Sequence, residues 1–154
     1  MKVRAYAART TVPVEKTRAE IERLLTKHGA AQLGIVTDAD RGLAMVLFTL
    51  AGRQVRLRVP LPRLDDVGPA RRTSARDRQV ERWHQLSRER WRAVLLLVRA
   101  KLELVELGLS TIEREFLADI TLPNGQTVGE ALRPRLEEAY QTGHMPPLLP
   151  GGSS

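Results

Sequence analysis

The residues in this chain best suited to chemistry are its arginines. The 154-residue sequence holds 25 basic side chains, 21 of them Arg, against 18 acidic ones, for a net charge of +7. A guanidinium is planar and permanently charged, and it forms paired hydrogen bonds to phosphate or carboxylate. The arginines are grouped. Arg53, Arg56 and Arg58 sit on or beside an alternating segment, with Arg41 in the turn before it. Arg71, Arg72, Arg76 and Arg78 occupy a loop and the first turn of a long helix, which Arg82, Arg88, Arg90 and Arg92 continue. Such a set is expected to neutralise phosphates, giving salt-sensitive binding with no sequence preference. The competing reading is a solvated surface, partly paired with Asp77, Glu81 and Glu89 at helical spacing, or an acidic protein partner. Trp83, His84 and Trp91 are the nearby rings, and their spacing fits a core better than a base-stacking platform.

Charge is uneven along the chain. Residues 1–60 carry 11 basic against 5 acidic groups, residues 71–92 carry 8 against 3, and residues 110–154 carry 3 against 6. A polyanion partner therefore fits the first two-thirds and not the last third.

Other chemistry is sparse. With no Cys, there are no disulfides, thiolate metal sites or Cys nucleophiles. His28, His84 and His144 fall on a helix end, a basic helix and the tail, without metal-ligand spacing. Asp38 and Asp40 flank a turn and fit an Asx turn better than a cation site. Glu113, Glu115 and Asp119 are helix-terminal acids near a positive dipole end. No phosphate-binding glycine loop or G-x-S-x-G occurs. The expectation is a protein that is not an enzyme and carries no cofactor and no metal.

The elements that must position the arginines follow from pattern. Residues 74–107 read as one helix, without Pro or Gly until Gly108. Trp83, Trp91, Val94, Val98, Leu102, Val105 and Leu109 supply its apolar spacing. Within it, AVLLLV at 93–98 is apolar all round, so it is expected to be buried on every side. Val94, Leu95, Leu97, Val98 and Leu102 are the expected surface for a partner subunit; the alternative is burial between the sheet and the C-terminal appendage.

Ahead of this helix, residues 2–7 and 32–37 are strand candidates, and residues 15–28 a helix whose face is Ile21, Leu24, Leu25 and His28. Residues 43–50 are apolar on both faces, as in a central strand. Residues 54–61 alternate, with Val55, Leu57 and Val59 opposite Gln54, Arg56 and Arg58. Residues 63–73 read as a linker.

After Gly108, Ser110 and Glu113 have capping-box spacing and are expected to start a short helix. Asn124-Gly125 marks a hairpin turn. Thr127 and Glu130 repeat the capping-box spacing before a helix to about 141, in which Pro134 is tolerated only near the first turn. The tail Met145-Pro-Pro-Leu-Leu-Pro150 is either a strap on its own domain or a docking peptide. Residues 151–154 are expected to be disordered.

The fold expected is α+β: a small antiparallel sheet in β-α-β-β-β order packed on a long central helix, with a C-terminal helix–hairpin–helix appendage. Residues 1–109 form the main unit and 110–150 the appendage. An α-β-β-β-α order also occurs in double-stranded-RNA-binding domains, but the Lys-rich cluster those domains place at the last helix is missing, so the analogy is one of topology alone. The start lacks a signal-peptide run and AVLLLV is too short for a bilayer, so a cytoplasmic, non-membrane protein is expected. The expected partners are nucleic acid, DNA or RNA, and a second copy or another protein.

The runs RERWRAVLLLVRAKLELVELGLSTIEREFLADITLPNGQTVGEAL and EEAYQTGHMPPLLP resemble a family of small uncharacterised proteins from bacteria and their phages. TTVPVEKTRAEIERLLTKHGA and GRQVRLRVPLP resemble the same family, so the likeness covers most of residues 10–150. Residues 32–40 depart from it in lacking aromatics. The resemblance implies no activity and no site residues. A phage or mobile-element setting, by association, favours a role with nucleic acid.

Overall fold

The structure is a computed structural model, and it describes residues 13–38, 40–67 and 73–148. The first element is helix α1 (Val14–Lys27), whose buried Thr17, Ile21 and Leu25 recur every four residues. Gly29, at φ +88°, ends it with the Ala30 amide bonded back to the Leu25 carbonyl. Three strands follow: β1 (Ala31–Asp38), β2 (Leu43–Leu50) and β3 (Arg53–Pro60). They form an antiparallel meander in the order β1-β2-β3. The additional strand expected at residues 2–7 and the tail residues 151–154 lie outside the described residues.

The alternation in β2 and β3 fixes which side faces the helices. Ala44, Val46, Phe48 and Leu50 of β2 and Val55, Leu57 and Val59 of β3 are all buried. Register aligns Val36, Met45 and Arg58 across the other face, and Gly34, Leu47 and Arg56 beside them. β1 is irregular at its start: the pairing shifts between Ala31 and Gly34, and Gln32 has φ +51°. That is a bulge.

Helix α2 (Thr73–Glu106) is the long central helix. Trp91, Leu95, Val98 and Leu102 are buried against the sheet and α1. Arg18 stacks over Trp91, Glu20 pairs with Arg92 and Arg99, and His28 meets Glu106. Contacts in that order mean that α1 runs parallel to the second half of α2. The first half reaches past α1. There, Trp83 Nε1 donates to the Pro62 carbonyl at 2.6 Å and Gln79 to the Leu64 carbonyl at 3.1 Å, tying the helix to a 3-10 turn at Leu64–Val67.

The expectation that residues 93–98 are buried on every side is corrected. Ala93 is exposed and Leu97 is 49 % exposed, because no described element covers that side of α2. Leu95, Val98 and Leu102 are spent on the chain's own core, and Val94 packs against it. Those four therefore offer little or nothing to a partner; of the expected interface set, Leu97 alone has substantial free surface.

The appendage holds α3 (Ile112–Phe116), a 3-10 turn (Leu117–Asp119) and α4 (Val128–Thr142). The cap of α3 is Thr111, whose hydroxyl accepts from the Arg114 amide, and not Ser110, which instead donates to Glu115. Phe116 inserts into the core, edge-on to Phe48. The expected hairpin is reduced to a single bridge, Thr121 with Thr127, closed by a bond from the Leu122 amide to the Gln126 carbonyl. α4 starts at the expected capping box, Thr127 with Glu130, but keeps Pro134 beyond its first turn. Arg135 then holds the Pro147 carbonyl, so the tail folds back onto α4. No helix among the described residues is long and apolar enough to cross a membrane.

Candidate nucleic-acid interface

The arginines of β3 and those of α2 meet different fates. On β3, alternation turns Arg56 and Arg58 to the face away from the helices. There Arg56 is largely covered. Its Nη1 donates to the Gly125 carbonyl at 3.0 Å and its Nη2 to Glu130 Oε2 at 2.7 Å. Arg58 is more exposed, 3.8 Å from the other oxygen of Glu130. Arg53, at the strand start, donates through Nε to Glu113 at 2.8 Å. Each cation of this trio already has a carboxylate, so a phosphate would have to displace Glu113 or Glu130 to reach them.

Glu130 is the hub of this arrangement. Its carboxylate accepts from the Thr127 amide at 2.9 Å, completing the capping box, and pairs with both strand arginines. The Thr127 amide, and then Arg56 and Arg58, hold its acidity below the ordinary glutamate range. Asp119 lines the same groove, together with Gly129 and Arg133, in a volume of about 520 Å³. Burial pushes the Asp119 carboxyl up, against the pull of Lys101. The groove thus holds three guanidiniums and two carboxyl groups in close quarters.

Arg76, Arg78 and Arg82 on the first turns of α2 are different. All three are exposed, and none engages a carboxylate among the described residues. Of the acids expected to neutralise this helix, Glu81 pairs with Arg88 at 3.2 Å, not with these three. Further along, Arg90 donates to the Pro60 carbonyl, and Arg92 and Arg99 pair with Glu20. Arg71 and Arg72 lie outside the described residues. The expected single basic surface is therefore divided. Its strand part is neutralised within the fold, while its helical part is free.

The remaining candidates sit in structural roles. His28 caps α1, with Nδ1 2.9 Å from the Leu24 carbonyl and Nε2 3.3 Å from Glu106. His84 is stacked edge-on to Trp83. The Asp38 side chain accepts from the Arg41 amide, which is the Asx-turn reading. Among the described residues no three His, Asp or Glu side chains converge as a metal site. The groove residues Asp119, Glu130 and Arg133 went unread as a site in the sequence. The capping-box spacing located Glu130 on α4, yet nothing local pointed to a strand 74 positions upstream. No protein-family profile, curated protein or solved structure matches this chain.

Proposed function

We propose that this chain is a non-enzymatic nucleic-acid-binding accessory protein that holds a phosphate backbone against the first turns of α2. The observation that supports it is that Arg76, Arg78 and Arg82 stay exposed and unneutralised while the arginines of β3 are consumed by Glu113 and Glu130. Arg78 and Arg82 stand one turn apart on one helix face, with roughly 5–6 Å between such positions. From Arg76 to Arg82 the helix rises about 9 Å, the rise of two to three phosphates along one strand at ~3.4 Å each. Guanidiniums read phosphate oxygens and not base edges in this arrangement, so binding is sequence-tolerant. The anchoring of α2 through Trp83 and Gln79 makes the presenting helix rigid at its base, which lowers the entropy lost on binding.

The test is anisotropy with single- and double-stranded oligonucleotides over a salt series. Binding is expected at low salt and falls as salt rises. The combined Arg76→Gln, Arg78→Gln and Arg82→Gln variant is expected to flatten the duplex log–log slope by up to about 2.7, at about 0.9 for each phosphate no longer neutralised. No affinity at low salt, or an affinity indifferent to salt, ends this reading.

A further inference from the structure

Helix α4 is 15 residues long and has no buried residue. An isolated helix of that length is marginal in water. This one also carries Pro134 at its seventh position, where the ring removes a backbone bond and crowds the carbonyl four residues back. Its described anchors are concentrated at the start: the capping box, the Arg56–Glu130 pair and the bond from the Val128 amide to the Ile120 carbonyl. Yet its sequence is amphipathic. Val128, Leu132, Leu136 and Tyr140 recur every four residues and form one stripe. Exposure grows along that stripe. Val128 and Leu132 are half-buried, Leu136 is 55 % exposed and Tyr140 is 86 % exposed. The stripe is one wall of a groove of about 520 Å³ that Leu117 and Lys101 help to close.

We infer that a second copy of this chain covers the stripe, α4 against α4 and antiparallel, about a two-fold axis beside Leu136. The charge pattern selects this occupant. Arg133 and Glu137 are both exposed and stand one turn apart on the same flank of the stripe. A two-fold axis that reverses the second helix sets this flank against its own copy. Arg133 then meets Glu137 of the second copy, and Glu137 meets Arg133 of the second copy, so two ion pairs form from one pair of residues. At the same time Leu132 comes level with Tyr140 of the second copy. The tyrosine ring adds apolar area there while its hydroxyl stays at the wet rim. None of these residues is among Arg76, Arg78 and Arg82, so the inference stands or falls apart from nucleic-acid binding.

Sedimentation equilibrium on the full chain tests it. A concentration-dependent species of twice the 17.3 kDa chain mass is expected. Leu136→Glu, at a position whose exposure spares the monomer fold, is expected to weaken association at least about 100-fold, since two like charges then face each other across the axis. Circular dichroism checks that this variant keeps its helices. Arg133→Glu and Glu137→Arg are each expected to weaken it about 10-fold, and the double exchange to recover to within about 3-fold of the parent. A monomer at every concentration overturns the inference. So does a dimer that survives Leu136→Glu, or a charge exchange that recovers nothing.

Discussion

Replacing Glu130 by Gln separates two things that this side chain does at once. Gln keeps an oxygen for the Thr127 amide, so the capping box survives. What is lost is the charge facing Arg56 at 2.7 Å and Arg58 at 3.8 Å. Both sides of the closer pair are partly covered, which places its worth between an exposed ion pair and a charge-assisted bond, about 1 kcal/mol. Glu130→Ala removes the cap as well, at a further ~1 kcal/mol. For a chain of this size that is a fall in melting temperature of about 2–4 °C for Gln and about 4–8 °C for Ala.

The pH dependence gives a sharper test. Because the fold holds the Glu130 carboxyl below its ordinary range, the unfolded chain takes up the proton first as pH falls. The stability tied to the charge is complete above the ordinary glutamate range and is lost as pH drops through the lower, folded value. Urea unfolding of the parent and the Gln variant should therefore converge in acid. A gap that stays constant from neutral to acid pH would refute the electrostatic account. The same variant also frees two guanidiniums on the sheet. Its duplex-binding salt slope is expected to match the parent's; steepening by about 1.8 would move the interface from α2 to β3.

Two further outcomes follow from burial. Leu95→Ala leaves a hole at a fully buried position between α2 and the sheet, and is expected to cost about 2–5 kcal/mol by urea unfolding; a loss under about 1 kcal/mol would mean that α2 does not seat there. Asp119→Asn removes a carboxyl that burial has pushed up. Between the ordinary and the raised value the folded chain binds more proton than the unfolded one, so stability falls as pH rises through that window. The Asn variant is expected to be at least as stable as the parent at neutral pH, with its advantage closing in acid; a less stable variant would show that the attraction of Lys101 outweighs burial.

Several elements were legible because local pattern and tertiary demand agree in them. The helix expected at 74–107 is found at Thr73–Glu106, since three-four spacing, the lack of Pro and Gly, and the stop at Gly108 all point the same way. β2 and β3 were readable for the same reason, through alternation on a half-buried sheet. What was misread depends on neighbours. Composition shows that residues 93–98 are apolar; it does not show that no described element covers Leu97. The cap of α3 shifted by one residue because Ser110 and Thr111 offer the same hydroxyl. The bulge opening β1 is a matter of register with β2, invisible in a single segment. The largest gap lies at the candidate interface. Arg56 and Arg58 look available in the strand pattern, and their partner Glu130 arrives only when the appendage docks. Arg76, Arg78 and Arg82 have no such visitor among the described residues, so for them the local reading and the folded surface coincide.

Where the appendage crosses β3, Ile120 bridges Val55 and the Thr121 amide takes the Gln54 carbonyl at 2.8 Å. A strand margin left with unanswered donors and acceptors recruits other strands and drives aggregation. At that margin the backbone of Ile120 and Thr121 blunts the start of β3, while at the opposite side of the meander a bulge breaks the flatness of β1. The C-terminal third thus guards solubility as well as shape: a chain cut after Gly108 would bare the start of β3 and tend to precipitate through strand-to-strand stacking.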